Sequence, residues 1–82
     1  MPTVTTDDNA LAYDPMATAI SAHGLVKFVM SPTHNVGPDP SLPSDPGLRV
    51  NFGQTLYLQF DQTGTFNFHC TVHVFKGRII VQ

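Results

Sequence analysis

Short alternating runs closed by turn residues constrain this chain more than any other feature. Residues 65–70 read Thr-Phe-Asn-Phe-His-Cys, which puts Phe66, Phe68 and Cys70 on one face and Thr65, Asn67 and His69 on the other. Residues 25–30 behave alike, with Val26, Phe28 and Met30 sharing a face, and residues 55–60 supply Leu56, Leu58 and Phe60. No long window has apolar residues at helical spacing. Further strands are expected at residues 3–6, 11–13, 17–22, 48–52 and 77–81. Turns are expected at Asp7-Asp8-Asn9, Asp14-Pro15 and His23-Gly24, with hairpin turns at Gly53-Gln54 and at residues 61–64. Residues 37–47 hold four prolines, which remove ladder donors, so this segment reads as one stiff loop. The expectation is a single all-β domain over residues 1–82, a Greek-key sandwich of about seven to eight short strands.

Composition narrows the function. Six acidic residues, all Asp, face four basic ones, and no basic stripe is present, so nucleic acid is not expected as a partner. No apolar run has the length of a membrane span. The single cysteine leaves no intrachain disulfide to support so small a domain, and a bound metal is one way to supply that stability.

That cysteine is the candidate site. Cys70 ends an apolar strand, faces inward by alternation, and is followed by His73; His34 stands at the exit of another strand. A lone cysteine in such a place is by default a small buried hydrophobe. One thiolate with two imidazoles is also the donor set of a type 1 copper centre, because thiolate suits Cu(I) and imidazole suits both oxidation states. Zinc could use the same residues with an open fourth position.

The ordered motifs resemble the cupredoxins, above all the amicyanin and plastocyanin branch. Tyr13-Asp14-Pro15 is similar to the family's aromatic-x-Pro element, and Thr33-His34-Asn35-Val36 to its first-histidine motif. Gly64-Thr65-Phe66-Asn67-Phe68-His69-Cys70-Thr71-Val72-His73 is similar to its Gly-x-aromatic-x-aromatic-x-Cys-x-x-His stretch, and residues 76–81 to its closing strand. The resemblance implies one copper ion held by His34, Cys70 and His73. It implies that Asn35 ties its loop to Thr71, that Phe28, Phe66 and Phe68 pack beneath the site, and that the His73 edge, ringed by Val74 and Phe75, is the electron port. It also implies a monomeric, periplasmic or otherwise extracytoplasmic carrier passing single electrons between redox proteins.

One part is missing. The amicyanin pattern continues Cys-x-x-His-x-x-Met, but here Lys76 and Gly77 follow Phe75 directly and no Met follows Cys70. The fourth position could be capped by Phe75 or Val74, filled by water, or reached by Met30 or Met16. An open or water-filled site is the expectation, similar to the purple, open-site cupredoxins of ammonia-oxidising archaea. The alternative function follows from it: water, nitric oxide or nitrite could reach copper, and the protein would then be an oxidoreductase interconverting nitric oxide and nitrite. A carrier rather than an enzyme is the leading expectation. His69 beside Cys70 is similar to the His-Cys pair that bridges two coppers in multicopper enzymes, but amicyanin has the same pair and puts no metal on it. Lys76 is expected to be solvated.

Overall fold

Eight strands and no helix form two four-stranded sheets in the computed structural model, which describes all of residues 1–82. They are β1 (Thr3–Asp7), β2 (Ala12–Asp14), β3 (Ala17–Ile20), β4 (Gly24–Val29), β5 (Gly37–Pro38), β6 (Thr55–Phe60), β7 (Gly64–His69) and β8 (Lys76–Val81). One sheet has the order β2-β1-β4-β6 and the other β3-β8-β7-β5, so the chain crosses repeatedly from sheet to sheet. The architecture is an all-β sandwich. None of it is a helix long and apolar enough to cross a membrane.

The core forms where the alternating faces meet. Val26 and Phe28 of β4 and Phe68 of β7 have no exposed surface, and Met30 has only 4%. The Phe28 and Phe68 rings join the two sheets edge to face, with centroids 5.7 Å apart. Truncating a ring so placed costs about 3–5 kcal/mol, from lost burial and the cavity left behind. Gly77 on β8 makes room for it: a Cβ there would lie 2.6 Å from Phe68 Cζ.

Three expectations are corrected. Residues 48–52 are not a strand; they contribute one bridge, Val50 to Val36, between turns at Pro46-Gly47 and Phe52-Gly53. Leu48 and Val50 are buried, so their alternation reports packing without a ladder. The proline-rich segment is not loop throughout, because Gly37 and Pro38 pair with His69 and Phe68 as β5. Strand β5 is at a sheet edge, where proline's missing N–H breaks no ladder. The turns at residues 53–54 and 61–64 do not close hairpins. Strand β6 pairs with β4, and residues 61–63 carry the chain from β6 in one sheet to β7 in the other.

This topology brings three connections to one end of the sandwich. Strands β1 and β4 run parallel, with Val4 opposite Phe28, so the β1–β2 turn and the chain after β4 emerge together. The loop between β7 and β8 closes alongside, since the antiparallel register puts His69 opposite Lys76.

Candidate metal centre

The β7–β8 loop is six residues closed by two backbone bonds. Cys70 N–H donates to the Phe75 carbonyl at 3.0 Å, and Val74 N–H donates to the Cys70 carbonyl at 2.9 Å. Turning so tightly puts Val74 at a φ of +65°, a conformation a β-branched side chain rarely adopts. Cys70 is fully buried and His73 is exposed at the far side of the turn. His34 sits in a turn in which its N–H reaches the Ser31 carbonyl at 3.2 Å, and only 1% of it is exposed.

The structure brings these three side chains together. Cys70 Sγ lies 3.8 Å from His34 Nδ1 and 3.7 Å from His73 Nδ1, and the two Nδ1 atoms are 3.1 Å apart. Donors held about 2.0–2.3 Å from one ion in trigonal or tetrahedral array are roughly 3.3–3.8 Å from each other. The observed triangle therefore fits a single ion with little adjustment. A soft sulfur with two imidazoles fits copper. His69 points to the other face of β7 and is outside the cluster. Met30 belongs to the core, while Met16 is 59% exposed.

Neighbouring groups hold the donors in place. Asn35 Oδ1 accepts the Thr71 N–H at 2.9 Å and the Thr71 hydroxyl at 3.1 Å, tying together the segments that carry His34 and Cys70. Gly37 permits this approach, since a Cβ there would lie 3.0 Å from Thr71 Cγ2. Phe75 packs edge-on to His34 at 4.9 Å and to Tyr13 at 4.7 Å. Tyr13 in turn packs on Phe68 and donates its hydroxyl hydrogen to the Asn35 carbonyl. Burial, with a smaller push from Cys70, raises the Tyr13 pKa far above its ordinary value, so the phenol stays a donor. Phe66, expected beneath the site, packs on Phe60 at 5.7 Å, where the chain crosses from β6 to β7.

Two contacts were not visible in the sequence. Asp8 Oδ1 lies 3.0 Å from His34 Nε2, on the opposite side of the ring from the cluster. Lys76, expected to be solvated, reaches buried Asp39 at 3.3 Å and so pins the proline-rich segment to the start of β8. The other oxygen of Asp39 accepts from Ser41 N–H, the Ser41 hydroxyl and Leu42 N–H. The Ser41 backbone bond, the Ser41 hydroxyl and Lys76 together outweigh burial and lower the Asp39 pKa to about 2.

No protein-family model matches the chain, and no curated protein matches it by sequence. Solved structures do match. Pseudoazurin from Hyphomicrobium denitrificans aligns over 98% of this chain and 73% of its own, with a TM-score of 0.80 and 20% identity. A point mutant of amicyanin, in its reduced Cu(I) form, aligns over 99% of this chain and 81% of its own, with a TM-score of 0.75 and 21% identity. A purple cupredoxin from Nitrosopumilus maritimus aligns over 100% of both chains, with a TM-score of 0.76 and 17% identity. The fold is that of the cupredoxins, and at the end where three connections meet it carries a His-Cys-His donor cluster that fits copper.

Proposed function

We propose that the protein binds one copper ion through His34 Nδ1, Cys70 Sγ and His73 Nδ1 and carries single electrons between redox proteins. The observation that carries this reading is the triangle of donor atoms, all within 4.8 Å of one another on a cupredoxin fold. Copper supplies the one-electron change between Cu(I) and Cu(II). The chain's own residues supply the rest. Buried Cys70 and His34 keep water from one side, and the Asn35–Thr71 contact limits movement of the donors. Exposed His73 offers a route outward between Val72 and Val74, each 61% exposed. An apolar rim of this kind suits the small, short-lived contacts of redox encounters. The same family resemblance supports a monomer working outside the cytoplasm.

The test is titration of the metal-free protein with Cu(II). An intense thiolate-to-copper band in the visible, saturating at one equivalent and absent from Cys70→Ser, is the expected result. A band that survives Cys70→Ser overturns the assignment.

A second reading rests on the loop chemistry. The cluster offers three donors, and the chain after Cys70 holds no Met or Glu to act as a fourth. A small ligand such as nitric oxide or nitrite could take that position, and interconversion of the two would then be the activity. Turnover of either by the copper-loaded protein separates this reading from a pure carrier.

A further inference from the structure

We propose that Asp8 is a positioning residue for the metal centre, fixing the tautomer of His34 and biasing a bound copper toward its oxidised state. The placement of Asp8 begins in the β1–β2 turn. Asp7 Oδ1 accepts the N–H groups of Asn9 and Ala10 at 3.0 and 3.1 Å, an Asx turn that sets the direction of the next side chain. The parallel pairing of β1 with β4 carries that turn to the chain around Ser31 and His34. Thr6 Oγ1 accepts the Ser31 N–H at 3.3 Å, and the Ser31 hydroxyl donates to Asp8 Oδ1 at 2.9 Å. The same oxygen lies 3.0 Å from Nε2 of His34, whose side chain is 2% exposed, so Asp8 stands over the buried ring's outer nitrogen.

A carboxylate only accepts, and a neutral imidazole carries one proton. In the neutral ring the proton therefore sits on Nε2, and Nδ1 is left with its lone pair aimed at Cys70 and His73. In solution both tautomers are populated; here one is selected before any metal arrives. A carboxylate on the far nitrogen also makes an imidazole a more basic ligand. The extra negative charge favours the more highly charged metal state, so Cu(II) gains over Cu(I). The first half of the proposal concerns the protein alone; the second rests on the copper reading.

Metal-free wild type, Asp8→Asn and Asp8→Ala should be compared by nitrogen-resolved NMR at about pH 8, above the ordinary imidazole range near 6.5. Wild type and Asp8→Asn, whose amide oxygen still accepts, should show His34 protonated on Nε2. Asp8→Ala should show a mixture of tautomers. Unchanged Nε2 protonation in Asp8→Ala overturns the proposal, whether or not the protein takes copper. In the copper-loaded protein both substitutions remove the charge. Each should weaken Cu(II) relative to Cu(I) by roughly 10- to 100-fold. That is a rise in potential of about 59 mV per tenfold. An unchanged potential overturns the electronic half. Failure of wild type to bind copper overturns the carrier reading but leaves the tautomer result to stand alone. Asp8 is 57% exposed, so its removal opens no core cavity.

Discussion

Asn35 and Thr71 are joined twice through one oxygen: Oδ1 of Asn35 accepts both the backbone N–H and the hydroxyl of Thr71, at 2.9 and 3.1 Å. The two residues directly follow His34 and Cys70, so their bonds help set the spacing of the Nδ1 and Sγ donor atoms.

Asn35→Ala removes the one acceptor of both bonds and leaves the Thr71 N–H in need of water. The expected cost is about 1–3 kcal/mol in the metal-free protein. Thr71→Val keeps the backbone bond and should cost about 0.5–1.5 kcal/mol. Urea unfolding of the two variants measures the difference. Equal effects would mean that the hydroxyl, not the N–H, carries the link.

Val74 tests the closure of the β7–β8 loop. Its φ of +65° is costly for a β-branched residue, and it is 61% exposed, so little packing is lost on truncation. A left-handed conformation costs a residue with a Cβ roughly 1–2 kcal/mol. Glycine's greater freedom in the unfolded chain offsets part of that relief. Val74→Gly should therefore raise stability by up to about 1 kcal/mol. Val74→Pro forces φ to the opposite sign and deletes the N–H that reaches Cys70, and should lose about 3 kcal/mol or more. Denaturant midpoints of the metal-free variants decide it; a stabilised proline variant would show that the turn is not held as described.

Asp39 predicts the acid limb of stability. Its folded pKa, about 2, lies below the ordinary value of 3.8, so the ionised form is favoured by folding. The contribution is complete above pH values near 4 and is lost as pH falls through the folded value. Asp39→Asn keeps an acceptor for Ser41 and Leu42 but removes the charge opposite Lys76. Wild type should exceed this variant in stability at neutral pH, and the two curves should converge toward pH values of about 2. Parallel curves across that range would remove Asp39 from the account.

Phe75 tests access to copper. Its ring is 4.9 Å from His34 and rests on Tyr13, covering one flank of the cluster. Azide added to the Cu(II) protein should perturb the visible spectrum, because the loop supplies no fourth donor. Phe75→Ala should bind azide several-fold more tightly. Spectra indifferent to azide in both proteins would rule out an accessible fourth position and the nitric oxide–nitrite reading with it.

Some of the molecule was legible from local pattern. Alternation alone turned Cys70 inward with Phe68, since side-chain direction along a strand follows position. The ordered motifs single out His34, Asn35, Thr71 and Cys70, and these residues meet in space. What stayed hidden depends on pairing between distant segments. Asp8 reaches His34 only because β1 runs parallel to β4, and a parallel pair leaves no turn signal in the sequence. Residues 48–52 alternate like a strand yet find one bridging partner, because hydrophobic period reports burial and not the presence of a neighbouring edge. Gly37 and Pro38 look unfit for a sheet until their place at its edge is known.

The donors come from both layers of the sandwich, His34 after a strand of one sheet and Cys70 and His73 after a strand of the other. His34 and Cys70 are 36 positions apart in the chain. An ion shared between them closes that span much as a covalent cross-link would, and a cross-link over a loop of this length restricts the unfolded chain by about 4 kcal/mol in the chain-entropy model. Cys70 has no disulfide partner within these 82 residues, but through the proposed metal it would rivet one sheet to the other. With copper bound at the proposed site, separating the sheets and releasing the ion would become one event, and the lifetime of the folded state would follow how firmly the metal is held.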